Sequence, residues 1–449
     1  MDQTRNWSDM SPGLAKVAER AKREPSALFN SLAHLITPEL LEQGYRRQRA
    51  DASVGVDGVT KECYGLRLGE NLRDLHERLR NRKYRHQPIR RVNIPKEGGG
   101  VRPLGISSFE DKIVQEAIRE VLSAVYEQDF LECSYGFRPG RNGHDAIRAL
   151  DRAVMKGRAN YVVEADIRKF FDTVPHRRMM EVIRNRIRDG SLERLIGKCL
   201  HVGVLEGEEF STSEVGTPQG SVLSPLLANI YLHYALDLWF EDEVKPRLKG
   251  DAELVRYADD FVICFEYEDD ARRVYEVLPK RLESYGLSLH PDKTRLIAFT
   301  RPSREQSGGK GPGTFDFLGF TLYWKRTRSG SWRFSCKTRG SRLRRAIQRI
   351  GEYCRRNRHL PVRKQHAGLS CRLRGHFNYF GVNGNLDALR RVSRHAERLW
   401  IKWLRRRSQR KRPWSHFKQL LEQFLLPVPR ISVRIWGTPA RHFHGGAGW

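Results

Sequence analysis

The chain has 449 residues, 39% of them hydrophobic, with 82 Lys and Arg against 53 Asp and Glu for a formal net charge of +29. That length suits roughly two to four domains around a sizeable core, and no uninterrupted apolar run reaches the ~18 residues of a membrane-spanning helix. The N-terminal MDQTRNWSDMSPGLAK lacks the layout of a secretory signal, and the seven cysteines form no CxxC pair; reduced thiols in a cytoplasmic setting are expected, with neither a redox pair nor a zinc ribbon.

In chain order, residues 1–85 read as mostly helical, broken by the turn-rich ADASVGVDGVT. IRRVNIPKEGGGVRPLGI predicts two short strands around a glycine-rich tip. Ser108 is placed to cap the next helix, whose apolar positions Ile113, Ala117, Val121 and Val125 recur every four residues. YVVEADIRKFFDTV (161–174) reads as a strand ending on a carboxylate, and residues 214–240 as a Gly/Pro turn entering a long buried helix. LVRYADDFVICF (254–265) predicts a hairpin with Asp259 and Asp260 at its turn. LSLHPDKTRLIAF (287–299) predicts a strand, a turn and a strand, and FDFLGFTLYW a further strand after the glycine-rich surface loop 301–314. From about 341 the pattern becomes helical and basic.

Charge is unevenly spread. Residues 321–449 hold 32 Lys and Arg but only four acids, Glu352, Asp387, Glu397 and Glu422, whereas the other 320 residues carry 50 basic and 49 acidic groups. A nearly neutral body joined to a polycationic third points to a polyanion, nucleic acid above all. Strands and helices mix without steady alternation, which predicts an α+β body followed by a helical domain.

Two adjacent carboxylates inside a buried hairpin repel each other, and each resists ionisation unless a cation compensates. Mg²⁺, a hard ion that takes carboxylate and phosphate oxygens, is the economical one. A pair of ions roughly 3.5–4 Å apart needs a further carboxylate. Asp166, closing the apolar strand YVVEA, is the candidate; Asp172, beyond Phe170 and Phe171, is the weaker one. Cys354, His359, His366 and Cys371 have no common zinc spacing, and GGKGPGT lacks the phosphate-loop pattern.

D-x-x-x-F-F-D (166–172), GTPQGSVLSPLLAN (216–229) and YADD (257–260), in that order, resemble reverse transcriptases of the bacterial group II intron type. SYGFRPGRNGHDAI (134–147), HPDKT (290–294) and GHFNYFGV (375–382) resemble further blocks of that family. The resemblance implies a right-hand polymerase: N-terminal extension, fingers and palm over 1–325, a thumb and maturase domain over 326–405, and a small basic DNA-binding segment and tail over 406–449. It implies an RNA-directed DNA polymerase holding two Mg²⁺ ions on Asp166, Asp259 and Asp260. Lys96 and Arg102 would close on the triphosphate, Phe171 would exclude a ribose 2′-hydroxyl, Gln219 and Gly220 would approach the nucleotide, and Lys293 would act near the pyrophosphate.

Tyr257, Arg138 and Arg141 are assigned to primer, template or RNA. So are Arg405, Arg406, Arg407 and Arg410, which interleave with tryptophans. The partners implied are template and structured intron RNA, a DNA primer or target, and deoxynucleotides, in a cytoplasmic ribonucleoprotein without a membrane. Monomer and dimer stay open. A domesticated enzyme of host defence or DNA repair and a splicing cofactor are the alternatives. No nuclease module is expected after Trp449.

Overall fold

The structure, a computed structural model, describes residues 10–95, 101–206, 209–211, 220–303, 313–407 and 413–436, without the side chains of Arg102 and of residues 204–206 and 209–211. Its N-terminal part is helical: Pro12–Arg23, Pro38–Arg47, Lys61–Gly65 and Leu68–Arg80. Ser11, Thr37 and Thr60 cap the first three, each side chain accepting from a backbone N–H three residues on. Strands β1 (Ile89–Pro95) and β2 (Val101–Ile106) form an antiparallel hairpin, and β1 also pairs in parallel with a strand at Val204–Glu206. The helix Phe109–Asp129 follows and packs against the N-terminal helices Pro12–Arg23 and Pro38–Arg47, its Ile113, Ala117, Val121 and Val125 fully buried. Ser108 stands at its N-cap position, but the hydroxyl makes no capping bond; the acids Glu110 and Asp111 occupy the first turn instead.

Strand β3 (Tyr161–Asp166) is an inner strand of a four-stranded sheet. Next in the chain come β4 (Val204–Glu206) and β5 (Glu209–Ser211), which extend the β1–β2 sheet. β6 (Ala252–Tyr257), β7 (Asp260–Phe265) and β8 (Arg295–Ala298) complete the β6–β7–β3–β8 order, all neighbours antiparallel. The sheet is covered on both faces. Val163, Ala165, Phe261, Ile263 and Phe265 enter one core with the N-terminal helices and the helical run that starts at Ser224, while Val162, Val255, Val262 and Cys264 enter a second. Burial on both sides explains why 254–265 reads as a continuous apolar run rather than an alternating one. The strand expected at 287–290 is a single bridge between Ile167 and Leu289.

FDFLGFTLYW is a hairpin, not one strand. β9 (Phe315–Phe317) turns at Leu318 and Gly319, with φ 51° and 79°, into β10 (Phe320–Arg326), which pairs with β11 (Trp332–Thr338). Two left-handed residues match the twist of a two-residue hairpin loop. The β10–β11 pairing spans residue 326, so no break in the fold falls at that boundary.

Helices Gly340–Arg356, Val362–Phe380, Leu386–Leu404 and Trp414–Gln423 build a third core around Leu369, Leu373, Val392 and Trp400. The chain then returns: the Ser432 amide donates to Gly381, Arg148 donates to the Arg434 carbonyl at 3.1 Å, and Ile435 is buried in the β9–β11 core. Among the described residues, no helix is long and apolar enough to cross a membrane.

Candidate active site

The pairing register brings the distant acids together. Asp166, the last residue of β3, stands directly opposite Asp260, the first residue of β7, and Tyr257 pairs with Asp260 across a two-residue turn formed by Ala258 and Asp259. Ala258 is held at φ 57°, a costly conformation for a side chain with a Cβ. Water reaches the Asp260 side chain. Even so, the protein around its carboxyl, then the charges of Asp259 and Asp166, push its pKa well above the usual carboxylate range.

Lys293, on the short turn Pro291–Lys293, donates to Asp166 Oδ2, and the His290 amide donates to the Asp166 carbonyl at 2.8 Å. Among the described residues no three carboxylate, imidazole or thiolate groups are already closed around a cation position. The donor set nonetheless fits a divalent cation: opposed carboxylates of Asp166 and Asp260 beside Asp259, with a lysine ammonium already drawn to Asp166. Asp172 lies on the one-turn helix Phe170–Thr173, exposed and off the sheet.

The turn is pinned from below. Arg256 is wholly buried and donates to both oxygens of Asp237, to Asn229 Oδ1 at 3.0 Å, to Ser134 Oγ at 2.9 Å and to the Ala258 carbonyl at 3.2 Å. Asn229 donates in turn to the Gly136 carbonyl at 2.7 Å. Sequence reasoning passed over these residues. The signal was an arginine inside an apolar strand, which requires a buried acid elsewhere.

Above the acids opens a cleft of about 590 Å³, lined by Phe137, Phe171, Tyr257, Asp259 and Asp260 on one side and by the helices Gly340–Arg356 and Val362–Phe380 on the other. Phe171 faces the cleft while Phe170, its ring 5.4 Å away and edge-on, is buried behind it. Arg342, Arg345 and Arg349 share the facing wall with His376 and Tyr379. That arginine face was legible as i, i+3, i+7 spacing.

Other expected contacts lie elsewhere. Arg138 is buried, donating to Glu127 at 3.0 Å and to the Leu131 and Ser134 carbonyls, and Arg141 donates to Glu132. Both guanidinium groups hold the loop itself. Gly220, at φ 111°, permits a close approach to β2: an added Cβ would lie 2.6 Å from the Gly105 carbonyl. Arg405 packs over Trp414 and Phe417, Arg406 over Trp403, and both are exposed with Arg407. Lys96, Gln219 and Arg410 lie outside the described residues, as does the Arg102 side chain.

A hairpin of paired acids beside a central-strand aspartate, under a cleft with a basic helical wall, defines a template-dependent nucleic-acid polymerase with an α+β palm. The family described as reverse transcriptase (RNA-dependent DNA polymerase) matches residues 94–322, and the chain belongs to that family. It is similar to Protein YkfC of Escherichia coli (strain K12), 34% identical over 352 residues, 71% of this chain and 89% of that protein. It is likewise 34% identical over 222 residues to the group II intron-encoded protein LtrA of Lactococcus lactis subsp. cremoris, 49% of this chain and 37% of LtrA. Nuclear intron maturase 2 of Arabidopsis thaliana matches at 28% over 231 residues, 43% of this chain and 30% of that protein. The chain thus spans most of the first relative and about a third of the other two.

Proposed function

We propose that this chain extends a primer 3′-end with deoxynucleotides on an RNA template, with Asp166, Asp259 and Asp260 as the catalytic carboxylates. The observation that carries the reading is the in-register opposition of Asp166 and Asp260 beside the Asp259 turn. Mg²⁺ held by these three acids would acidify the primer hydroxyl and neutralise the triphosphate. The primer 3′-oxygen attacks the α-phosphorus and loses its proton to water; the α–β phosphoanhydride bond breaks and pyrophosphate leaves. Lys293, beside Asp166, offers the departing pyrophosphate a cation and a proton donor. Phe171 occupies the space of a 2′-hydroxyl, and Arg342, Arg345 and Arg349 grip phosphates across the cleft.

The test is primer extension on RNA template. Asp259→Ala should lose extension by about three orders of magnitude or more while RNA affinity stays within about twofold. Loss of RNA binding alongside activity in a normally folded variant counts against a separate catalytic centre.

A second role is favoured by the polycationic residues 321–449 and by the similarity to LtrA: binding of structured group II intron RNA to promote its splicing and mobility, in a cytoplasmic ribonucleoprotein. A structured intron around the gene supports it, whereas its absence points to a domesticated polymerase in defence or repair.

A further inference from the structure

Phe137 combines two features that each lower stability. Its backbone sits at φ 57°, in the left-handed region that a bulky side chain rarely adopts, and the residue is 48% exposed. The ring belongs to none of the three cores. Its aromatic neighbour is Tyr257, with ring centroids 6.2 Å apart and planes tilted by 44°. A residue kept strained and wet is held there by its surroundings, and strain of this kind gathers at functional sites.

Those surroundings are densely bonded. Gly136 presses on the catalytic turn so closely that an added Cβ would lie 2.4 Å from the Ala258 nitrogen. The Tyr135 amide donates to the Arg256 carbonyl at 2.9 Å, the Arg256 amide to the Cys133 carbonyl at 2.8 Å, and Asn229 to the Gly136 carbonyl. On the far side of Phe137, the buried Arg138 guanidinium ties the loop to Glu127, Leu131 and Ser134. The loop is therefore clamped on both sides of one residue, whose ring projects into the cleft beside Asp259 and Asp260, facing Arg342 and Arg345. A flat apolar face among cationic groups matches a nucleotide, whose base offers a π-face and whose backbone offers the charge.

We infer that Phe137 packs against the terminal nucleotide pair of the primer–template duplex and sets the primer 3′-hydroxyl over the Asp259 turn. The inference rests on the polymerase reading above and assigns the contact to the ring of Phe137, with Arg138 and Arg141 serving to hold the loop that presents it.

The experiment uses the full chain with Phe137→Gly, Phe137→Asn and Phe137→Tyr. Glycine and asparagine both tolerate positive φ, so each removes the ring without adding backbone strain. Both variants are expected to melt at or above the wild-type temperature, to bind primer–template about tenfold more weakly and to extend it correspondingly more slowly, as loss of one stacking contact dictates. Phe137→Tyr should stay within about twofold. 2-Aminopurine is placed either at the primer 3′-end or opposite it in the template; the strand whose fluorescence changes between wild type and the glycine variant is the one the ring touches. Wild-type binding and extension by both ring-less variants, or no fluorescence change in either strand, overturns the inference. So does a lower melting temperature in both variants, which would make the ring a packing element. Failure of the wild-type chain to extend any primer instead overturns the polymerase reading itself.

Discussion

Arg256 and Asp237 form a doubly hydrogen-bonded ion pair from which water is wholly excluded. The same guanidinium also holds the Ala258 carbonyl, so one buried charge ties the helical run 224–244 to the strained turn that carries Asp259. Removing one partner leaves the other buried and uncompensated. Asp237→Ala is expected to destabilise the protein by about 3–5 kcal/mol, measured by denaturant unfolding. The double variant Arg256→Met/Asp237→Leu should recover most of that stability. It should still extend primers roughly a hundredfold more slowly, because the Ala258 carbonyl loses its Arg256 donor and the turn that carries Asp259 is held less firmly. Full activity in the stable double variant would separate the pair from the turn.

Lys293 donates to Asp166 from a surface turn, with its own side chain largely in water. A divalent cation arriving at Asp166 has to displace that ammonium. An exposed pair of this kind is worth about 1 kcal/mol or less, so Lys293→Met should lower the half-saturating Mg²⁺ concentration by no more than about fivefold. The maximal rate of single-nucleotide incorporation should fall in the same variant, by roughly 10²-fold, as expected when a positioned proton donor is lost. A Mg²⁺ titration of single-turnover incorporation reads both numbers. An unchanged half-saturation point would mean the lysine and the cation do not compete.

The acids were readable because an aspartate that ends or interrupts an apolar strand is rare without a purpose; that Asp166 meets Asp260 follows from the register of β3 on β7, which a uniformly apolar run does not announce. Helices 340–404 were readable for a similar reason, since basic and apolar positions alternate at helical spacing. What stayed hidden depends on long-range pairing. Nothing near Arg256 in the chain announces Asp237 or Asn229 as its partners. Nothing in SYGFRPG says that the arginine turns inward and the phenylalanine outward. The Leu318–Gly319 turn was hidden by its apolar flanks, because a leucine at positive φ has no compositional signature.

Arg405, Arg406 and Arg407 are consecutive yet differently employed. Arg405 lies over both Trp414 and Phe417 and joins two helices, while Arg406 lies over Trp403 of its own helix and, with Arg407, is exposed at the end of Leu386–Leu404. Replacing Arg406 and Arg407 by glutamine should weaken RNA binding and reduce the slope of log K against log salt by about 1.5, the share of two phosphate contacts. Arg405→Gln should also lower the melting temperature, since it loses packing as well as charge. Binding isotherms at several salt concentrations separate the two outcomes, and an unchanged slope in the double variant removes this patch from the RNA surface.

His376 lies in the cleft wall against Phe377 and Phe380, its ring 4.8 Å from the latter, with Arg342, Arg345 and Arg349 lining the same cleft. Burial lowers its pKa to about 4, and burial likewise lowers that of His233, near Asp237 and Arg256, to about 4. Both values lie below the ordinary ~6.5 of an unfolded histidine, so on acidification the unfolded chain takes up protons before the folded one does. Stability is complete above about pH 6.5 and is lost progressively as the pH falls toward 4. The His376 share should not exceed roughly 2 kcal/mol, because the ring keeps some contact with water. His376→Phe, which fits the surrounding rings, should therefore flatten part of the fall in melting temperature between pH 7 and pH 4.5 while leaving the neutral-pH value nearly unchanged. Thermal melts across that range decide the matter: parallel curves for the variant and the wild type would show that His376 does not contribute to the acid sensitivity.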